Sequence, residues 1–200
     1  MTIDVGGGLG QVTDTKTLRR VFGTFATGVT VVTTGGEAPH AMTANAFTSV
    51  SLDPPLLLIC VDHSAVMHES VTRAGRFAVS VLASHQEDVA RHFADKWRTL
   101  GAAQFECVSW SPGPHSGAPL IDGSVAQFEC ELWRAYEAGD HTIFVGRVLA
   151  LTERADDPPL VFHRGAFGAL TEKALTESVL TKSARPERDA NGRARPEGSH

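Results

Sequence analysis

Strand-forming segments separated by short turns recur through most of this chain of 200 residues. The segment "VTVVTT", residues 29–34, is rich in β-branched residues, and Gly35-Gly36 supplies a turn before a return strand that begins near His40. Because strands do not alternate strictly with helices, the pattern predicts an antiparallel, mainly β fold, a barrel or a sandwich. Further strands are predicted at residues 56–61, 76–82, 124–136, 142–154 and 160–164, with turns at Asp53-Pro54-Pro55 and at "EAGD", residues 137–140.

Three short helices are predicted between these strands. Thr13 and Asp14 are candidate caps for the first, whose apolar side chains recur at helical spacing. Ser64 is the predicted cap of the second helix, and Gly75 is its predicted end. Residues 84–87 have the spacing of a capping box before the third helix. The apolar faces are Leu18, Val21, Phe22 and Phe25 in the first helix and Val89, Ala90 and Phe93 in the third.

The length and the distribution of apolar residues predict one domain over residues 14–171. Residues 1–13 are Gly-rich and are expected to be flexible. The segment 172–200 is dominated by charged and small residues and is expected to be mobile. Residues 95–123 contain "SPGPHSG" and two tryptophans, which indicates a long surface excursion that could serve as a lid or a dimer contact.

Charge and apolar pattern exclude several classes of function. The net charge of -5 gives no broad basic surface, so no nucleic-acid partner is expected. The longest apolar run, residues 56–61, is too short to cross a bilayer, and no leader is apparent, so the chain is expected to be cytoplasmic and without membrane association. The odd count of three cysteines favours reduced, buried thiols. Cys60 and His63 lack a second pair of ligands, and therefore no metal site is predicted.

The segment from Thr43 to Ser51 combines small and uncharged polar residues directly before an apolar run. In an extended chain alternate residues share a face, which groups Thr43, Asn45, Phe47, Ser49 and Ser51. Small side chains let a planar ligand approach the backbone, and amides and hydroxyls bond to ring carbonyls, ring nitrogens or phosphate. The pattern fits a cradle for a flavin, and it equally fits an edge strand with a solvated polar face.

Five motifs in one unbroken order, spanning about residues 14–170, carry a family resemblance. They are Phe25-Ala26-Thr27-Gly28-Val29, Thr43-Ala44-Asn45-Ala46-Phe47, Ser49-Val50-Ser51-Leu52-Asp53-Pro54-Pro55, Gly139-Asp140-His141 with Gly146-Arg147-Val148, and His163-Arg164-Gly165. This set resembles the short-chain NAD(P)H:flavin oxidoreductase (flavin reductase) family, the reductase components of two-component flavin-dependent monooxygenases. The resemblance implies a split β-barrel, FMN-binding fold with a few short helices, and a homodimer with its flavin sites near the subunit interface.

The resemblance also implies which residues hold the flavin. The family's flavin-contacting block matches Met42, Thr43, Ala44, Asn45, Ala46 and Ser49, and the end of the next strand adds Cys60 and Ser64. Ser84 and His85 are further candidates, because free backbone donors at the predicted start of the third helix suit a phosphate. Simple capping of that helix is the alternative for these two residues.

Two histidines match positions that the family places on the nicotinamide side. His141 is the candidate catalytic residue, with Asp140 orienting it, and His163 is a candidate contact. The fork of Arg164 suits dinucleotide phosphates. By residue type alone, a loop histidine is a solvated turn residue or a local hydrogen-bonding group, and Arg164 could equally form a surface ion pair.

The implied activity is NAD(P)H-dependent reduction of free FMN or FAD by direct hydride transfer to flavin N5. The cofactors are then FMN or FAD with NADH, or alternatively NADPH, and the partner is a monooxygenase that receives diffusible reduced flavin. One alternative is a related split-barrel oxidase that retains FMN. The other is a non-enzymatic flavin-binding or interaction module. The sequence does not separate FMN from FAD.

Overall fold

The computed structural model describes residues 14–154 and 157–170. The predictions of a flexible start at 1–13 and a mobile tail from 172 fall outside these residues. The described chain is mainly β with three short α-helices, as predicted. These are α1 (Thr15–Phe22), α2 (Val66–Ala74) and α3 (Glu87–Ala94), and a 3₁₀ helix spans Gly101–Phe105. None of the helices in these residues is long and apolar enough to cross a membrane.

Twelve strands form three antiparallel sheets in the described residues. The largest sheet has seven strands in the order β3-β2-β6-β9-β10-β5-β4, so β3 and β4 are its edges. A second sheet has the order β1-β11-β12, and β7 pairs with β8. The strands are β1 (Thr27–Gly28), β2 (Thr30–Thr34), β3 (His40–Ala44), β4 (Phe47–Leu52), β5 (Pro55–Asp62), β6 (Arg76–Val81), β7 (Trp110–Pro112), β8 (Pro119–Ile121), β9 (Ala126–Ala138), β10 (His141–Glu153), β11 (Leu160–His163) and β12 (Ala166–Ala169).

The predicted continuous strand from Thr43 to Ser51 is wrong. The chain leaves β3 after Ala44 and enters β4 at Phe47, and these two strands pair with different partners at opposite edges of the sheet. Asn45 and Ala46 make the connection, which is held by a 3.2 Å hydrogen bond from the Cys60 amide to the Ala46 carbonyl. A register shift between Ser49 and Ser51 interrupts the alternation further. The proposed common face of these alternate residues therefore does not form.

The core lies on both faces of the large sheet. One cluster packs Ile59, Phe77 and Phe144 beneath α2, and each of these side chains is at most 1% exposed. The other packs β2 against α3 and the 3₁₀ helix through residues such as Phe93 and Phe105. The predicted apolar face of the third helix is confirmed, because Ala90 and Phe93 are fully buried. By contrast, α1 has no buried residue, although its existence was predicted correctly.

The helix ends confirm some predicted caps and correct others. Asp14 caps α1 by accepting a 2.7 Å hydrogen bond from the Thr17 amide, and Gly75 ends α2 in the left-handed conformation. Ser64 is not the cap of α2, because its hydroxyl donates to Asp62 and the cap position is Ala65. The capping box at residues 84–87 does not form either. The Ser84 amide donates to the Pro158 carbonyl, and α3 begins only at Glu87.

The segment 95–123 lies partly in the core. The 3₁₀ helix buries Gln104 and Phe105, and β8 buries Ile121. The expectation that all three cysteines are buried is wrong as well. Cys130 is fully buried, which raises the pKa of its thiol to about 12, whereas Cys60 is half-buried and Cys107 is exposed.

Candidate functional site

Two cavities border the end of β3. The first, which we call the Arg164 cavity, has a volume of about 870 Å³ and is lined by Lys16, Arg19, Arg20, Phe22, Gly23, Thr24, Phe25, Thr27, Asn45, Phe162, Arg164 and Gly165. The second, the Thr43 cavity, has a volume of about 420 Å³. It is lined by His40, Met42, Thr43, Asp62, Ser64, Ala65, Val66, Phe93, Ala94, Lys96, Arg98 and Leu100.

The Arg164 cavity is cationic and partly aromatic. Four cations face it, three of them from α1, and no acidic residue is among the described residues that line it. Phe22, Phe25 and Phe162 supply aromatic surface. Thr27 also lines the cavity, but its hydroxyl is buried and has no hydrogen-bond partner among the described residues. Aromatic walls and free cations fit a ligand that carries both flat rings and phosphates.

A tight hairpin turn presents Arg164 to this cavity. Arg164 and Gly165 are the two central residues between β11 and β12, with φ of 51° and 84°. Positive φ at both central positions is the mark of a type I′ turn. The Arg164 amide donates a 2.7 Å hydrogen bond to the Gly23 carbonyl, which fixes the turn against the end of α1. His163 is exposed and pairs with Ala166 in this hairpin, but it does not line the cavity.

The Thr43 cavity combines hydroxyls with two cations. The Thr43 hydroxyl donates to the Ala90 carbonyl at 2.7 Å, which ties β3 to α3. The half-buried Arg98 guanidinium donates to the carbonyls of Asp95 and Ala41 and forms no ion pair with a described carboxylate. Burial lowers the pKa of Arg98, and the nearby Asp95 carboxylate partly opposes this. The cavity therefore holds positive charge that protein carboxylates only partly balance.

Carboxylates and a histidine lie at one side of the Thr43 cavity. Asp62, at the end of β5, accepts 2.7 Å hydrogen bonds from the hydroxyl and the amide of Ser64, and these bonds lower the pKa of Asp62. His141 is the register partner of Asp62, and its Nδ1 lies 2.7 Å from Asp140 Oδ1. This hydrogen bond lowers the pKa of Asp140. One ligand atom from each of Asp62, Asp140 and His141 lies within 4.8 Å of the others.

The hairpin that carries His141 is anchored by two further histidines. Gly139, with φ of 72°, takes the first central position of the predicted turn, and Ala138 pairs with His141. The buried Thr142 hydroxyl lies 3.1 Å from His63 Nε2 and 2.8 Å from His68 Nε2. Since a hydroxyl has one proton, it can donate to at most one of these two ring nitrogens. These contacts link the hairpin to the start of α2.

The structure separates the predicted flavin residues between the two cavities. Met42, Thr43 and Ser64 line the Thr43 cavity, whereas Asn45 lines the other cavity together with Arg164. Ala44 and Ala46 flank Asn45 along the chain. The Cys60 amide bonds to Ala46, and burial raises the pKa of the Cys60 thiol. Ser49 is exposed on β4, and neither Ser84 nor His85 lines either cavity.

Apart from Arg164, the cationic residues of both cavities were not predicted from the sequence. Lys16, Arg19 and Arg20 have the spacing i, i+3 and i+4, which places them on one face of a helix, and this signal was available. Lys96 and Arg98 carry no comparable signal, because their position depends on how a loop packs against β3.

Comparisons with known proteins agree with this fold. Residues 22–171 match the model of the flavin reductase like domain. An NADH-dependent FAD reductase of Streptomyces globisporus is 56% identical over 154 residues, which cover 77% of this chain and 85% of the relative. An FMN reductase (NADH) of Agrobacterium fabrum, SmoA, is 41% identical, covering 80% of this chain and 88% of the relative.

Solved structures give the same result. The flavin reductase component BorF of a bacterial two-component tryptophan halogenase has a TM-score of 0.77 and 54% identity, covering 80% of this chain and 99% of that chain. The NADH:FAD oxidoreductase SgcE6 of Streptomyces globisporus, in complex with NAD and FAD fragments, has a TM-score of 0.76 and 52% identity, covering 82% of this chain and 99% of that chain. The chain belongs to the flavin reductase-like family.

Proposed function

We propose that this chain is an NAD(P)H:flavin oxidoreductase that reduces free FMN or FAD and supplies the reduced flavin to a partner monooxygenase. Relatives named as NADH-dependent FAD and FMN reductases support this activity, and they favour NADH as the hydride donor. A relative named as a reductase subunit of a flavin-dependent monooxygenase supports the partner. The reaction consumes one reduced nicotinamide for each flavin reduced.

One geometric observation carries the proposal. Met42 and Thr43 line the Thr43 cavity, and Asn45 lines the Arg164 cavity. The two cavities therefore lie close to each other at the end of β3. Both cavities are lined by cations, and each of the two cofactors contains a flat ring system and phosphate. Two such ligands can therefore meet at the end of β3. This is the arrangement that direct transfer between two rings requires.

In this proposal the flavin binds along the end of β3. Ala44, Asn45 and Ala46 offer small side chains and backbone polar groups to its ring. The Thr43 cavity holds its phosphate side, with Met42, Thr43 and Ser64 along the wall. Cys60 supports this wall from β5 through its bond to Ala46. Ser49, Ser84 and His85 remain proposed contacts, although they lie outside both cavities.

The nicotinamide dinucleotide binds in the Arg164 cavity. Arg164 and the three cations of α1 attract its phosphates, and the phenylalanines pack against its rings. His163 is proposed as a contact at the rim, because it precedes Arg164 in the turn. His141, which pairs with Asp62 at the side of the Thr43 cavity, is the proposed catalytic residue, held by Asp140 through the 2.7 Å hydrogen bond and acting where the nicotinamide meets the flavin.

Catalysis in this site is mainly positional. The redox chemistry belongs to the bound cofactors, with hydride passing from the reduced nicotinamide to the flavin. The protein contributes by holding both rings in contact and by excluding water from between them. Uncharged ligands such as Asn45 suit a flavin that must leave after reduction, because they bind without strong ion pairing.

We further propose that the sheet forms a split β-barrel and that the protein is a homodimer. The two edge strands, β3 and β4, are joined by only two residues, which supports a sheet that curves back on itself. Exposed apolar side chains on β4, β9 and β10 support contact with a second copy of the chain. They are Val50, Leu52, Trp133, Tyr136 and Leu151, exposed by 44% to 94%.

The test is steady-state oxidation of NADH and of NADPH by the purified protein with riboflavin, FMN or FAD as acceptor, without oxygen. We expect nicotinamide oxidation that depends on added flavin, together with bleaching of the flavin absorbance. Flavin binding is measured separately by quenching of flavin fluorescence. Binding without any reduction contradicts the proposal and favours a non-enzymatic flavin carrier.

Whether FMN remains bound to the purified protein distinguishes the FMN-retaining oxidase from the proposed reductase. A reductase that treats flavin as a substrate loses it during gel filtration. A yellow protein with stoichiometric FMN, whose turnover is indifferent to added free flavin, contradicts the proposal in favour of the oxidase.

A further inference from the structure

Trp97 is almost completely exposed beside the Thr43 cavity. Its side chain is 93% accessible, although tryptophan is highly buried on average in folded proteins. Its sequence neighbours Lys96 and Arg98 both line the cavity. The chain therefore places one free aromatic surface between two cations, at the edge of a space that fits a phosphate-bearing ligand.

The segment that carries Trp97 is held in place at both ends. The Trp97 amide donates a 2.9 Å hydrogen bond to Asp95 Oδ1. Arg98 donates to the carbonyls of Asp95 and Ala41, so this guanidinium connects the segment to β3. Gln104 fixes the following turn by donating to the carbonyls of Pro39 and Gly101. The exposed position of Trp97 is thus set by a bonded loop.

Lys96 is the freer of the two cations. It is exposed, and it lies near enough to Asp62 to help lower the pKa of that carboxyl. Arg98 already donates to backbone carbonyls, whereas Lys96 has no hydrogen bond or ion pair with any residue that the structure describes. Lys96 is therefore the cation that remains available for a ligand phosphate at this edge.

We propose that Trp97 binds the adenine of FAD and Lys96 the flavin phosphates, and that the stacking on Trp97 makes FAD preferred over FMN. This inference rests on the proposed function, because it extends the flavin bound along the end of β3. Riboflavin has no phosphate, FMN has one phosphate, and FAD adds a second phosphate and an adenine. The adenine stacks on Trp97, as bases stack on exposed aromatic side chains, and Lys96 binds the phosphates.

The three flavins therefore respond differently to two substitutions. Trp97→Ala removes the stacking surface, and we expect the dissociation constant of FAD to rise about tenfold while those of FMN and riboflavin stay unchanged. Trp97→Phe retains a ring and restores most of the FAD affinity. Lys96→Gln weakens both FAD and FMN but leaves riboflavin unchanged. Thr99→Ala, an exposed change in the same segment, is the matched control and alters none of the three.

Dissociation constants are measured by quenching of flavin fluorescence, and thermal melts followed by circular dichroism verify that each variant is folded. The KM values for FAD and FMN during NADH oxidation provide a second readout, in which Trp97→Ala raises KM for FAD with kcat retained. Equal losses of FAD and FMN affinity in Trp97→Ala, or no loss at all, overturn the proposal. Wild-type protein that reduces neither flavin contradicts the proposed function itself, and this inference with it.

Discussion

At the scale of single residues, Arg164 occupies a backbone conformation that suits other residue types better. Its φ of 51° is the only positive value among the described residues other than glycine. The left-handed conformation costs about 1 kcal/mol or more for an ordinary side chain, and Asn or Gly is preferred at this position of a type I′ turn. The turn therefore holds an arginine at a cost to stability, which is consistent with a role for its charge in the cavity.

Arg164→Asn should increase the stability of the fold and weaken the binding of NADH. Because asparagine adopts the left-handed conformation more easily, we expect the free energy of unfolding to increase by about 1 kcal/mol, measured by urea denaturation. The loss of a phosphate-binding cation should raise the KM for NADH several-fold. Arg154→Asn, an exposed arginine outside both cavities, serves as the control. A destabilised variant with unchanged KM for NADH contradicts the role of Arg164.

His141→Ala tests the other residue-scale assignment. We expect the KM for NADH to rise more than the KM for flavin, because His141 is proposed to act on the nicotinamide side. Both constants are obtained by varying one substrate at saturation of the other. His115→Ala, which changes an exposed histidine away from the cavities, is the control. If only the flavin constant responds, His141 acts on the flavin rather than on the nicotinamide, and its assignment to the nicotinamide side is wrong.

At the scale of elements, β3 begins with a buried histidine. His40 is 6% exposed, and burial, together with the charge of Arg98, lowers its pKa from 6.5 to about 4. The folded state therefore keeps His40 neutral at pH values where the unfolded chain protonates it. Between pH 6.5 and about 4 the unfolded state binds more protons, so stability increases with pH across this interval.

We expect His40 to contribute a fall of about 3 kcal/mol in the free energy of unfolding as the pH decreases from 6.5 to 4. His40→Gln should remove this contribution, because glutamine does not titrate. Urea denaturation at several pH values measures the slope for the wild type and the variant. His115→Gln, at an exposed position, should keep the wild-type slope. Equal slopes for wild type and His40→Gln would show that His40 does not titrate differently on folding.

Elements whose burial follows a local pattern could be predicted from the sequence. The β-branched and apolar runs of β2, β5 and β6 were recognised, because β2 and β6 are buried along most of their length and β5 is buried at alternate residues. The local sequence does not determine whether Ser64 and Ser84 cap the helices that follow them. The amide of Ser84 bonds to Pro158, which is far away in the sequence, and this contact competes with capping.

The same limit applies to the candidate site. Met42, Thr43, Ser64 and Arg164 were identified through motifs that resemble a known family, and the structure places each of them at a cavity. The break at Asn45 was not predictable from alternation, because it depends on which strands pair with β3 and β4. The position of Lys96 depends on the bonded loop around Gln104 and likewise has no local signature.

At the scale of the whole molecule, Gly146 leaves room on the buried face of the large sheet for side chains of β6 and β9. A Cβ added to Gly146 in β10 would lie 2.5 Å from Cζ of Phe77 and 3.0 Å from Cβ of Cys130. Phe77 and Cys130 are both fully buried in the core that β6, β9 and β10 share. The close packing of this region leaves no room for a methyl group.

Gly146→Ala should therefore destabilise the fold by about 1–3 kcal/mol, the usual effect of overpacking a core. Gly28→Ala is the matched control, because nothing lies within 4 Å of its added Cβ. Thermal and urea denaturation of both variants measure the difference. A Gly146→Ala protein as stable as Gly28→Ala would mean that Phe77 can shift at little cost.

The two-residue link between the opposite edges of the large sheet has a mechanical consequence. Asn45 and Ala46 connect the edge strands β3 and β4. A flavin bound at this link would contact both edges and hold them together. Binding to the folded state alone raises stability by mass action. Free flavin should therefore protect the protein from heat and proteases, so the supply of flavin would help to set how long each molecule survives.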